Sequence, residues 1–181
     1  FKSIVVTGTN GKSTTCSIIH KVLSNSGINS ELLGNIGKPI LNYNLGKKKN
    51  IVLVIEMSSF QLEYSKYIKP NHAIFINFTK DHLDWHGNMN NYLKSKLKIF
   101  SLQNKNDFAY LPQNKDIIKR FKKNNFKSSV ILNKRKTYNT LKKNIFNPYL
   151  SCKSNLENLS FIYDLKNNFK ISDKRFFSIL N

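Results

Sequence analysis

Acidic residues are scarce in this chain, with ten Asp and Glu against thirty Lys and Arg, a formal charge of +20. Cysteine is nearly absent. Cys16 and Cys152 are too few and too far apart for a disulfide framework or a metal cluster, and they fit a reducing cytoplasm. No apolar run approaches the roughly 18 to 20 residues that cross a bilayer, and no basic, apolar and small-residue series marks a signal peptide. A water-soluble domain with no membrane partner is therefore expected. The excess charge is almost all Lys, scattered, and accompanied by abundant Asn, Ile, Phe and Tyr. No Arg cluster, zinc spacing or aromatic RNA-binding signature comes with it. It is read as codon bias toward A and T, with no specific nucleic-acid partner.

What is present suffices for one domain over 1–181, since 40% of the 181 residues are hydrophobic, including 13 Phe and 8 Tyr. The chain opens at Phe1 in a strand-like run and stops inside the apolar pattern Phe176-Phe177-Ser178-Ile179-Leu180-Asn181. A part of a longer protein is the expectation.

Ser3–Thr7 is β-branched and ends at Gly8, after which Cys16, Ile19, Val22 and Leu23 recur at helical spacing up to Asn25-Ser26-Gly27. Ile51–Ile55 and Ala73–Asn77 are apolar throughout, as strands covered on both faces should be. Helices are expected over Phe60–Lys66, Met89–Phe100, Lys115–Phe121 and Asn155–Lys166, and strands at Phe108–Leu111 and Ser129–Leu132. Ser172 caps a last helix. Asn133–Tyr149 has weak periodicity and is expected to form a short hairpin or an irregular excursion. The alternation predicts an α/β, doubly wound, mostly parallel sheet of the P-loop type.

Three segments carry chemistry, each just beyond a predicted strand, at the edge where open α/β sheets build their sites. Gly8-Thr9-Asn10-Gly11-Lys12-Ser13, followed by Thr14, joins strand to helix, so its backbone N–H groups sit beside the positive end of a helix dipole and suit a phosphate. Lys12 can neutralise the outer phosphates of a nucleotide such as ATP, and the Ser13 hydroxyl can ligate magnesium. The general pattern G-x-x-x-x-G-K-[ST] has its first glycine where this chain has Val6, so the loop is a variant. Glu56 in Glu56-Met57-Ser58-Ser59-Phe60-Gln61 is a lone acid behind an apolar strand, placed for a magnesium ion. The segment from Asn77 to Gly87 concentrates Asp81, His82, Asp84 and His86, which can bind metal or stabilise developing charge.

The phosphate loop, Gly34-Asn35-Ile36-Gly37, the stretch Glu56 to Glu63, Asp81-His82-Leu83-Asp84 and Lys94 to Phe100 follow one another as they do in the Mur ligases. With Ser58-Ser59-Phe60-Gln61-Leu62-Glu63, Asn35-Ile36-Gly37 resembles the D-glutamate-adding branch of that family. The resemblance covers nearly the whole chain and implies a central ATP-binding domain lying between an N-terminal UDP-binding and a C-terminal domain, in a cytoplasmic monomer. It implies that ATP phosphorylates the carboxylate of UDP-N-acetylmuramoyl-L-alanine and that D-glutamate attacks the acyl phosphate, in peptidoglycan precursor synthesis. By position, Lys12 would hold the phosphates, Ser13 and Glu56 one magnesium, and His82 a second. Lys96 would become a carbamate supporting the magnesium site, a role that nothing in its surrounding residues suggests. Asn35 and Ser58 would lie at the substrate, and Asn155 and Asn158 at the nucleotide base. Ser154 departs from the His usual before the first of those asparagines. The residues leave open another amide ligase of the superfamily, the third-residue-adding enzyme or a folylpolyglutamate synthetase, and a basic nucleotide-switched nucleic-acid-binding module.

Overall fold

In the computed structural model, which describes residues 1–44, 46 and 50–181, six parallel strands form one sheet in the order β2-β3-β1-β4-β5-β6. The strands are β1 (Lys2–Thr7), β2 (Ser30–Gly34), β3 (Val52–Glu56), β4 (His72–Phe75), β5 (Phe108–Leu111) and β6 (Ser129–Leu132). The helices between and after them are α1 (Lys12–Asn25), α2 (Ser59–Tyr64), α3 (Leu83–His86), α4 (Met89–Leu97), α5 (Lys115–Lys123), α6 (Arg135–Asn144), α7 (Lys153–Lys166) and α8 (Asp173–Leu180). No helix of the described residues is long and apolar enough to cross a membrane.

Alternation along the central strands explains the two-sided burial. Ile4, Val6, Val52, Val54, Ile74, Ile76 and Tyr110 pack with residues of α1, α7 and α8 on one face. On the other, Val5, Leu53, Ile55, Ala73, Phe75, Ala109 and Leu111 pack with residues of α2, α4 and α5. A period of two with both phases apolar gives the unbroken hydrophobic runs of a covered parallel strand. The doubly wound expectation holds, and the sheet is wholly parallel.

Two departures from the sequence expectations appear. Residues 135–144 of the stretch expected as hairpin or excursion form α6, whose buried positions are only Thr137 and Leu141. Two inward side chains in ten residues leave a thin apolar stripe among lysines, which periodicity does not reveal. The unanticipated β2 is an edge strand with Leu33 as its only fully buried residue, so its sequence Ser-Glu-Leu-Leu-Gly carries little of a strand's pattern.

Ile74 is fully buried in β4, and Val130, 46% exposed, lies on the edge strand β6. Ile74→Ala is expected to cost about 2 to 5 kcal/mol in urea unfolding, as a lower midpoint at unchanged slope. Val130→Thr is expected to stay within about 0.5 kcal/mol.

Candidate active site

Parallel pairing of β1 with β3 on one side and β4 on the other brings three carboxyl ends together, with Val6 opposite both Glu56 and Ile74. The loop after β1 needs its two glycines for different reasons. A Cβ on Gly8 would fall 2.3 Å from Ile76 Cγ1, so the backbone lies directly on the next strand's side chain. Gly11 has φ 81°, and its Cβ would meet Asn158 Nδ2 at 2.4 Å. Gly11 is the N-cap of α1 and offers no side-chain cap, so the first-turn N–H groups of the helix remain for an anion. Lys12 Nζ arcs back to donate to the Thr9 carbonyl at 2.8 Å. Thr14 follows in the first turn, half-buried. Val6, where a longer phosphate loop has its first glycine, is a fully buried strand residue, and the loop is short because the strand runs on.

Glu56 ends β3 with 1% exposure. Its Oε2 accepts from Ser13 Oγ at 2.8 Å and its Oε1 from Asn35 Nδ2 at 3.4 Å. Asn35 is delivered by Gly34, whose φ of 102° and whose approach to the Glu56 carbonyl, 2.2 Å from a would-be Cβ, exclude other residues. A buried carboxylate held, among the described residues, by a hydroxyl and an amide, next to a phosphate-type loop, is a hard-oxygen donor set of the kind magnesium takes with water and phosphate oxygens completing its shell. Ser58 spends its hydroxyl elsewhere. It accepts from the Gln61 N–H at 3.2 Å while the Gln61 side chain accepts from the Ser58 N–H at 2.9 Å, a capping box that starts α2.

The segment after β4 does not act as one loop. Asn77 turns to the phosphate loop, and the Thr79 N–H donates to Thr9 Oγ1 at 3.1 Å. His82 sits in the left-handed region at φ 50°, with Nε2 3.5 Å from an Asp81 oxygen and its ring edge-on to Phe60 and Tyr92. Asp84 is exposed on α3. His86 is buried, stacked on Phe60 and in contact with Tyr92, with Nε2 3.0 Å from Ser59 Oγ and Nδ1 3.4 Å from Glu63, and burial lowers its pKa. It wedges α3 against α2. Among the described residues no three His, Cys, Asp or Glu side chains gather for a metal. Helix formation at 83–86 leaves His82 half-exposed at its N-cap and buries His86, while both rings contact Phe60 and Tyr92.

Lys96, on α4, is 1% exposed, donates to the Gly8 carbonyl at 2.7 Å and lies 4.7 Å above the Tyr92 ring. Burial, with the charge of Lys12 second, lowers its pKa from 10.5 to about 7. Tyr92, which the sequence did not single out, floors this lysine, and its hydroxyl lies 3.3 Å from Thr9 Oγ1. An aromatic at helical spacing reads as core, and only its hydroxyl distinguishes it.

Asn158 on α7 packs against Gly11, and Asn155 Nδ2 donates to the Tyr149 carbonyl at 2.7 Å. Both line a pocket of about 190 Å³ with Asn10, Asn77 and Ser154, opening beside the phosphate loop. Ser154 Oγ lies 3.5 Å from Cys152 Sγ at the start of α7. A larger cavity of about 660 Å³ continues past Ile76, Asn77 and Glu157 along the ends of β4, β5 and β6, bordered by Lys134, Arg135 and Lys153.

Residues 6–171 match the model of the Mur ligase middle domain. A UDP-N-acetylmuramoylalanine--D-glutamate ligase from Fervidobacterium nodosum is 43% identical over 120 residues, 66% of this chain and 28% of the relative. One from Desulfatibacillum aliphaticivorans is 44% identical over 108 residues, 60% of this chain and 24% of the relative. The chain thus spans about a quarter of the length of these relatives. In fold it resembles the UDP-N-acetylmuramoylalanyl-D-glutamyl-2,6-diaminopimelate--D-alanyl-D-alanyl ligase of Acinetobacter baumannii, at TM-score 0.70 and 14% identity, over 99% of this chain and 45% of that one. The MurF ligase of Thermotoga maritima in complex with ADP aligns at TM-score 0.53 and 22% identity over 73% of this chain and 33% of that one. The match over 6–171, on a sheet whose strand ends assemble the phosphate-type loop and Glu56, makes this chain a member of the Mur ligase family, corresponding to its middle domain.

Proposed function

We propose that this chain is the central ATP-binding domain of a ligase that joins D-glutamate to UDP-N-acetylmuramoyl-L-alanine, with N-terminal and C-terminal domains outside it. The identity of 43% over 120 residues to a relative named for that reaction carries the reading. The ADP-bound relative supports nucleotide binding on this fold.

The phosphate loop and the first turn of α1 receive the triphosphate, and Lys12, now on the Thr9 carbonyl, swings to the outer phosphates. Ser13 and Glu56 would hold magnesium, and His82 a second ion; such ions neutralise charge on the phosphoryl group in transfer. Asn35, which donates to Glu56 Oε1, would lie at the acceptor. The substrate carboxylate takes the γ-phosphoryl group, ADP leaves, and the D-glutamate amine displaces phosphate from the acyl phosphate to form the amide. Asn155, Asn158 and the pocket beside Gly11 receive the base.

Carbamylation of Lys96 is supported by its environment. Only a neutral amine attacks CO2, and a buried lysine whose pKa falls to about 7 supplies one near neutrality. The product carries a carboxylate where the chain otherwise places two cations, Lys12 and Lys96, around the loop.

Three measurements test this reading. With ATP and UDP-N-acetylmuramoyl-L-alanine, phosphate release from the protein carrying this chain is expected to require D-glutamate, and Lys12→Ala to slow it by about 100-fold or more. Release independent of D-glutamate would overturn the substrate assignment. In ¹³C-bicarbonate a carbamate carbon signal is expected from the wild type and absent from Lys96→Met. In CO2-free buffer the sign follows from the lowered pKa: below pH 7 the native state carries the full burden of a buried charge, and between pH 7 and 10.5 it sheds the proton that the unfolded chain keeps. Stability is therefore expected to rise with pH across that window relative to Lys96→Met, read from urea midpoints.

A further inference from the structure

Asn77 has no part in the transfer scheme above, yet its carboxamide is wholly engaged with the phosphate loop. Oδ1 accepts from the N–H of Thr9 at 3.0 Å and from that of Asn10 at 2.9 Å, and Nδ2 donates to the Asn10 carbonyl at 2.8 Å. The Asn77 carbonyl also accepts from the Thr9 N–H at 3.1 Å. One side chain thus grips both polar groups of Asn10 and one of Thr9, 67 and 68 residues away in sequence.

Two successive N–H groups converging on one oxygen form a concavity of the kind that takes an anion. Here the amide oxygen of Asn77 fills it. A phosphate oxygen is thereby kept from Thr9 and Asn10 and directed to the N–H groups beyond Gly11, beside Lys12 and Ser13. The short loop makes such a restraint necessary. With Val6 still in the strand, the loop has fewer backbone groups of its own to hold its shape, and the neighbouring strand end supplies the hold. Only a carboxamide meets the demand, accepting from two N–H groups while donating to a carbonyl; an ionised carboxylate accepts but cannot donate.

We propose that Asn77 is a positioning residue that braces the phosphate loop from β4 and selects which backbone N–H groups receive the nucleotide phosphates. The second half rests on the nucleotide-binding reading above, and the first does not.

Amide exchange followed by NMR on the ligand-free protein carrying this chain tests the brace. Asn77→Ala is expected to speed exchange at Asn10 by about tenfold or more and at Thr9 by less, because the Thr9 N–H keeps its bond to the residue-77 carbonyl, leaving Ala109 and Tyr110 in β5 unchanged. Calorimetric titration with ATP and magnesium tests the consequence, with an expected loss of affinity of about tenfold or more. Asn77→Asp keeps the two acceptor bonds, so Thr9 and Asn10 are expected to stay protected to within about threefold of wild type. It also sets a negative charge at the loop and repels the Asn10 carbonyl, so ATP affinity is expected to fall as in Asn77→Ala. The brace is overturned by unchanged exchange at Asn10 in Asn77→Ala, or by equal acceleration in β5, the mark of a merely structural residue. Phosphate selection is overturned by wild-type ATP affinity in either variant. If the wild-type protein carrying this chain binds no ATP, the nucleotide reading fails, and the exchange data alone still decide the brace.

Discussion

Strand β1 is hydrogen-bonded along both sides, to Val52–Glu56 of β3 and to His72–Phe75 of β4, and all three run in one direction. Parallel register leaves their carboxyl ends level. The loop after β1, Glu56 at the end of β3 and Asn77 just past β4 therefore meet although they are tens of residues apart. Both faces of these strands are sealed by helices, so the meeting point cannot shift without disturbing two cores. Gly8 shows how tightly the arrangement is drawn, since even a methyl group there would collide with Ile76.

Charge at this edge is distributed unevenly. Glu56 is the buried acid among the groups that meet the loop, while Lys12 and Lys96 donate to its adjacent carbonyls, those of Thr9 and Gly8. A buried amine costs free energy when charged, and here the neighbouring cation adds to that cost, so Lys96 gives up its proton near neutrality. A site with cations to spare and one carboxylate suits a polyanion that arrives with its own divalent ion. Other lysines lie dispersed over the surface, and Lys134, Arg135 and Lys153 border the larger cavity beside the loop.

Much of the fold was legible because central strands of a parallel sheet are apolar on both faces. Phe108–Leu111 and Ser129–Leu132 read correctly from short apolar runs, and α1 from its spacing. Elements at the periphery were not legible. Strand β2 buries little beyond Leu33, and α6 turns only Thr137 and Leu141 inward, so neither imprints a period on its residues. At the candidate site, the three post-strand segments were found by residue type and position. The division of labour within them was not, because sequence does not show that Asn77 bonds the phosphate loop or that the turn at 83–86 buries His86 and leaves His82 half-exposed.

The sequence by itself determined the place of the loop Gly8 to Ser13 between strand and helix, the place of the lone acid Glu56 at a strand end and the alternation of strands and helices, since each depends on local pattern: glycine before a helix, a carboxylate after apolar residues, and the periods of two and 3.6. Only the tertiary structure decided what Lys96, Tyr92 and Asn77 do. On its helix Lys96 is one lysine among many, and its burial under the Gly8 carbonyl arises from the packing of α4 across 88 residues of sequence. Asn77 becomes a brace because β4 lies beside β1. Desolvation and hydrogen-bond geometry are properties of neighbours in space, and those neighbours exist only once the sheet has formed.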